Sequence, residues 1–150
     1  MIVPVLVRRI YFNTSFFIFI PAIMSYNTDI MFSMLLLILG VTSMANWISY
    51  KHGSFVHLLD KFLSCIVMLV ILSQHPHWFW AIGLALLSFW QGRHLYFEQQ
   101  AFKAARFHLL FRYLIFWCCF LHANGTIPMF TFALLTFIFG LFVRDLAFKL

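Results

Sequence analysis

The stretch Phe55–Ser73, FVHLLDKFLSCIVMLVILS, decides how the chain is read. Crossing a bilayer takes about 20 largely apolar residues, and this run is long enough. Yet its first turns carry His57, Asp60 and Lys61. Ionisable groups in a membrane-crossing helix are costly, so they face the interior of a bundle and take partners there. Such a helix does not stand alone, and the rest of the chain has to supply partners for Asp60 and Lys61.

The composition agrees. Of 150 residues, 64% are hydrophobic and 9% charged, against about 25% charged in soluble domains. The mean hydropathy is +0.96. These values predict an all-α integral membrane protein, one helical bundle over residues 1–150. The ten Lys and Arg are scattered among helix ends, not gathered on one face. That speaks against a nucleic-acid partner and for a role in topology. Cys65, Cys118 and Cys119 fall inside apolar spans, which predicts buried thiols, not a disulfide framework.

Six spans follow from hydropathy and turn residues. Arg8 and Arg9 precede the first, about residues 9–25, in which Asn13, Thr14 and Ser15 are unusually polar. Ile23 and Ser25 make a poor cleavage site, so this helix is expected to be retained. The first 28 residues contain no acid, which keeps an organelle membrane open as the location. The second span runs from about Ile30 to Tyr50 and the third is Phe55–Ser73. His75-Pro76-His77 is a short connection that predicts antiparallel neighbours on either side. The fourth begins at Trp78 and reaches Trp90 or a little beyond, and Gln91–Ala104 is polar. The fifth is about Arg106–His122. The turn Ala123–Thr126 and Pro128 introduce the sixth, about Ile127–Val143.

Charge supports that count. If the spans alternate, Arg8, Arg9, Lys51, Arg93, Lys103, Arg106, Arg144 and Lys149 lie on one side. The opposite connections carry neither Lys nor Arg. This is the positive-inside pattern, with both termini inside. Trp47, Tyr50, Trp78, Trp80 and Trp90 near the span ends read as aromatic belts.

Helical spacing of about 100° per residue gathers the polar residues. His57, Asp60, Lys61 and Ser64 share one broad face of the third span. Ser43, Asn46 and Tyr50 share a face of the second, and His108 and Arg112 a stripe of the fifth. At about 1.5 Å rise per residue, Asn46, Asp60 and Arg112 lie some 6–9 Å from the inner ends of their spans. The expectation is one buried polar layer of Ser43, Asn46, His57, Asp60, Lys61, His108 and Arg112, with Asp60 paired to Arg112. Interhelical glue by hydrogen bonding is the plain reading of such a layer, and a lipid-headgroup pocket the sharper one.

The order Ser43-x-x-Asn46, then Asp60, then a His-led pair on a later span resembles the superfamily of alkaline ceramidases and adiponectin receptors. Those proteins are seven-helix membrane hydrolases or their relatives. Three histidines in Ser-x-x-x-His and His-x-x-x-His motifs bind a zinc ion that activates water. The resemblance covers about Gly40–Phe120 and implies a zinc-dependent lipid amide or ester hydrolase, with Ser43 and Asp60 supporting the water and His108 as a ligand. The chain departs from the pattern: Trp47 stands at the first histidine position, Arg112 at the last, and one helix is missing. The implied relative has a charged pair where the zinc site would be.

The other histidines offer two further constellations. His52, His57 and His108 are weak candidates for a metal set, and His57 and His108 lie at compatible depth for haem axial ligation. No nucleophile elbow, glycine-rich phosphate loop or dinucleotide fingerprint is present. The function expected from the residues is therefore non-catalytic, with no cofactor. It is a structural or accessory subunit of a larger membrane complex, or a lipid-binding bundle. Its partners would be membrane lipids and other membrane subunits, with the Phe-rich sixth span as a candidate surface.

Overall fold

A computed structural model describes residues 3–147 of the chain; Lys149, one of the expected inside charges, lies outside them. Among the described residues the regular structure is entirely helical. α1 (Val5–Ser15) passes through a 3-10 turn, Phe16–Ile18, into α2 (Phe19–Ser25), and the three form one long segment. Then come α3 (Ile30–Ile48), α4 (Phe55–Gln74), α5 (Phe79–Phe97), α6 (Ala101–Asn124) and α7 (Met129–Ala147). The expected six helical segments are all present. Four of them, Val5–Ser25, α3, α4 and α6, are long and apolar enough to cross a membrane.

The ends obey local chemistry. Asp29 Oδ1 accepts from Phe32 N (2.9 Å) and caps α3, and Ser54 Oγ accepts from His57 N (3.3 Å) and caps α4. Gly125 closes α6 in the left-handed conformation, at φ 74°. The 3-10 turn precedes Pro21, whose ring crowds the carbonyl four residues back and has no N–H to offer it. The polar stretch Gln91–Ala104 is not a loop. α5 continues to Phe97 and α6 starts at Ala101, because a helix satisfies its own backbone whatever its side chains face.

α6 is the centre of the bundle. It packs most extensively on α5 and also touches α1, α2 and α4. α3 is held between the α1–α2 segment and α4. Two close approaches set this geometry. A Cβ on Gly40 would fall 2.6 Å from Ile18 Cγ2, and one on Gly92 would fall 3.0 Å from the Ala104 carbonyl oxygen. α4 and α5 meet at their short connection through the Pro76–Trp78 turn, and α5 packs chiefly on α6.

Two apolar clusters fill the interior. Tyr11, Trp47, Phe116 and Phe139 belong to one, and Leu36, Val67, Ile82 and Cys119 to the other. The outward faces are apolar too: Leu58, Phe62 and Leu69 on α4, and Leu84, Leu87 and Trp90 on α5, are exposed. Contiguous apolar surface on this scale is not left to water in a soluble monomer. Cys65 is exposed, unlike buried Cys118 and Cys119, and so departs from the expected buried thiols. Trp47 is not a belt residue. It is buried, stacked on Tyr50 with ring centroids 4.9 Å apart.

Candidate functional site

The polar residues of five helices converge on one cavity of about 540 Å³. Arg112 of α6 organises its floor. Its Nη1 donates to Tyr11 O (2.7 Å), Ser15 Oγ (2.9 Å) and Thr14 Oγ1 (3.1 Å), and its Nη2 donates to Ser43 Oγ (3.0 Å). The guanidinium also lies over the rings of Tyr11 (5.2 Å) and Trp47 (5.6 Å). α1 supplies three acceptors because the Thr14 and Ser15 hydroxyls fold back onto the Tyr11 carbonyl, which presents their oxygens to α6.

Asp60 sits above this floor. Its Oδ2 accepts from Asn46 Nδ2 at 2.9 Å, and both side chains are buried. The expected direct pair of Asp60 with Arg112 is not formed, as no nitrogen–oxygen contact within 4.0 Å joins them. Ser43 accepts from Arg112 Nη2 and lies 3.2 Å from Ser15 Oγ, while Asp60 takes its donor from Asn46. The physical reason is that Arg112 is occupied by four acceptors on α1 and α3.

His57 is buried, packed on Tyr50 (5.2 Å) and His52 (5.3 Å). Both of its ring nitrogens lack a partner. The same is true of Trp47 Nε1 and Asn46 Oδ1, and all three residues line the cavity. Tyr50, just beyond α3, has its phenol raised above the usual range by burial. Lys61 and Arg93 approach from α4 and α5 and complete the polar wall. Much of the remaining lining is apolar, including Phe17, Leu39, Met68, Leu86 and Ile115.

His108 is enclosed by Tyr11 (4.7 Å), Phe89 (5.7 Å) and Phe111 (5.8 Å), with part of its surface on the cavity. It makes no ring contact with His52 or His57, so the three do not converge as a ligand set. Among the described residues no group of three or more His, Cys, Asp or Glu is arranged to hold a metal ion. The three positions where the ceramidase resemblance would place zinc ligands do come together. The Trp47 ring lies 5.9 Å from His108 and 5.6 Å from the Arg112 guanidinium. Only His108 of these can ligate zinc, so the residues present do not fit that metal.

The expected layer of Ser43, Asn46, His57, Asp60, Lys61, His108 and Arg112 is thus gathered around one space. Sequence reasoning missed Tyr11, Thr14, Ser15, Trp47 and Tyr96, which also line it; Tyr96 meets Tyr11 hydroxyl to hydroxyl at 3.3 Å. The polarity of Asn13–Ser15 in an otherwise apolar span was the signal that could have found two of them. At the opposite end of the bundle, His75 Nε2 lies 3.1 Å from His122 Nδ1, and His122 Nε2 lies 3.8 Å from Asp29 Oδ2. No protein-family model, curated protein or solved structure matches the chain.

Proposed function

We propose that the chain is an integral membrane protein of six spanning helices, with both termini on the Lys/Arg-rich inner side, and that its cavity binds a lipid within the inner leaflet. The observation that carries this reading is the cavity itself. About 540 Å³ lies within the range of ligand sites, roughly 300–1,000 Å³. Its lining combines polar residues that carry buried unpartnered atoms with a large apolar share, as an amphiphile requires. The exposed face of α7, with Phe130 and Phe137 outward, serves as lipid-facing surface or as the contact of a larger assembly.

The test is extraction of lipid from the purified protein by mass spectrometry, beside a Leu86→Trp variant that narrows the cavity. A near-equimolar lipid that falls away in the variant is the expected result. Protein free of lipid in every mild detergent refutes the reading. Topology is checked separately with single cysteines at Ser49 and Thr126: a membrane-impermeant maleimide added outside should label only the second.

A second reading, a zinc-dependent lipid amide or ester hydrolase, draws on one observation. Trp47, His108 and Arg112 converge beside Ser43 and Asp60, as the ceramidase resemblance implies. Two of the three ligand positions hold side chains that do not bind zinc, which ranks it below a binding role. One zinc per chain in the purified protein, lost in His108→Ala, would reverse that order.

A further inference from the structure

The charges on the cavity wall do not balance. Asp60 is the one acid among its lining residues, it already accepts from Asn46, and its single charge faces both Arg112 and Lys61. Lys61 on α4 and Arg93 on α5 bring the lining to three cations against that one acid, and these two act on each other as like charges. Neither has a carboxylate within 4.0 Å among the described residues; Arg93 rests instead over the Phe97 ring at 5.7 Å. Two further cations lining one space call for an anion bound there.

The orphaned atoms point the same way. Trp47 Nε1 is a donor only, 7% exposed and without an acceptor. His57 is 6% exposed with both ring nitrogens unpartnered, so at least one N–H there also lacks an acceptor. Buried polar atoms left unpaired carry a desolvation cost, which a bound acceptor removes. Asn46 Oδ1, an unpartnered acceptor 2% exposed, suits a hydroxyl beside the anion.

Building on the lipid-binding reading, we propose that the cavity is selective for a lipid whose headgroup is a phosphate monoester, held between Lys61 and Arg93 with Trp47 and His57 as further donors. Charge decides for phosphate over carboxylate. A phosphate monoester carries about −1.5 to −2 at neutral pH and three acceptor oxygens, whereas a carboxylate carries one charge. Arg93 offers the planar fork that suits a phosphate, and Lys61 a point charge. The apolar lining takes the chain.

The experiment uses the full chain in mild detergent and three oleoyl probes: lysophosphatidic acid, oleic acid and lysophosphatidylcholine. Binding is read by quenching of tryptophan fluorescence and checked by native mass spectrometry. The phosphate monoester should bind roughly tenfold or more tightly than either of the others. Arg93→Gln, at an exposed position that leaves the core untouched, and Lys61→Gln should each pull that ratio toward one. Equal binding of all three probes, or a ratio unchanged in the double variant, overturns the phosphate assignment while lipid binding stands. Binding of none of them overturns both. Displacement by inorganic phosphate at the affinity of the lipid would reassign the site to a soluble anion and overturn the proposal.

Discussion

Removing Arg112 should cost more stability than removing Asp60, although both are buried charges of one layer. In Arg112→Met the apolar stem is kept while four hydrogen bonds, to Tyr11 O, Thr14, Ser15 and Ser43, are lost together. Bonds to a charged donor are worth about 1.5–3 kcal/mol each, but they do not add here. The Tyr11 carbonyl still accepts from the Thr14 and Ser15 hydroxyls, and Asp60 still accepts from Asn46. The net loss is therefore set at about 3 kcal/mol, the worth of one to two such bonds. At about 2–4 °C per kcal/mol for a chain of this size, the thermal midpoint falls by roughly 6–12 °C. Arg112→Lys keeps the charge and loses the fork, because one ammonium cannot span α1 and α3 together; about half the effect is expected. Asp60→Asn/Arg112→Met should be less than additive, since the carboxylate that Arg112 balances is gone. The assay is size-exclusion chromatography of heated detergent samples with fluorescence detection. A midpoint within 2 °C of the wild type for Arg112→Met, by the same conversion less than about 1 kcal/mol, would refute this account.

Three other substitutions probe separate features. Gly92→Val drives a side chain into the Ala104 carbonyl and should lower the midpoint by the roughly 1–3 kcal/mol of overpacking, whereas Gly83→Val, with open space around it, should not. Asn46→Leu leaves the Asp60 carboxylate without its amide donor; a loss of about 1–3 kcal/mol is expected, measured by the same melting assay. Asp29→Ala removes the α3 cap for about 1 kcal/mol, while Asp29→Asn keeps a capping oxygen and should be near neutral. A matching loss in both Asp29 variants would assign the effect to the His122 contact instead.

The helices were legible because a membrane-type span is a one-dimensional signal. Apolar length and charged ends set Phe55–Gln74 and Ile30–Ile48 with no reference to neighbours. The layer was legible because period and depth place Ser43, Asn46, Asp60 and Arg112 together. What sequence could not supply was partner choice. Asp60 and Arg112 are opposite charges at one depth, and pairing them is the obvious match. The outcome depends on α1, where a Pro21-linked 3-10 turn and two back-bonded hydroxyls make a better receptor for a guanidinium. Trp47 was misjudged for a related reason. A tryptophan near a span end suits a headgroup belt, and only the position of α1 and α6 turns its face inward, against Tyr11 and His108.

The layer has two halves that obey different rules. Around Arg112 the polar atoms are saturated, with four acceptors from two helices and two aromatic faces. That half has the completeness of structural glue, which binds helices and leaves nothing over. Around His57 and Trp47 the accounting stays open, with buried nitrogens lacking partners and Lys61 and Arg93 lining the same space. Buried polar groups in folded proteins are nearly all paired, so a cluster of exceptions on one cavity wall has to have a cause. Apolar residues at these positions would remove the cost at once if stability were their only role. The saturated half therefore explains how the bundle is held, and the unsaturated half is where the proposed lipid headgroup is to be tested.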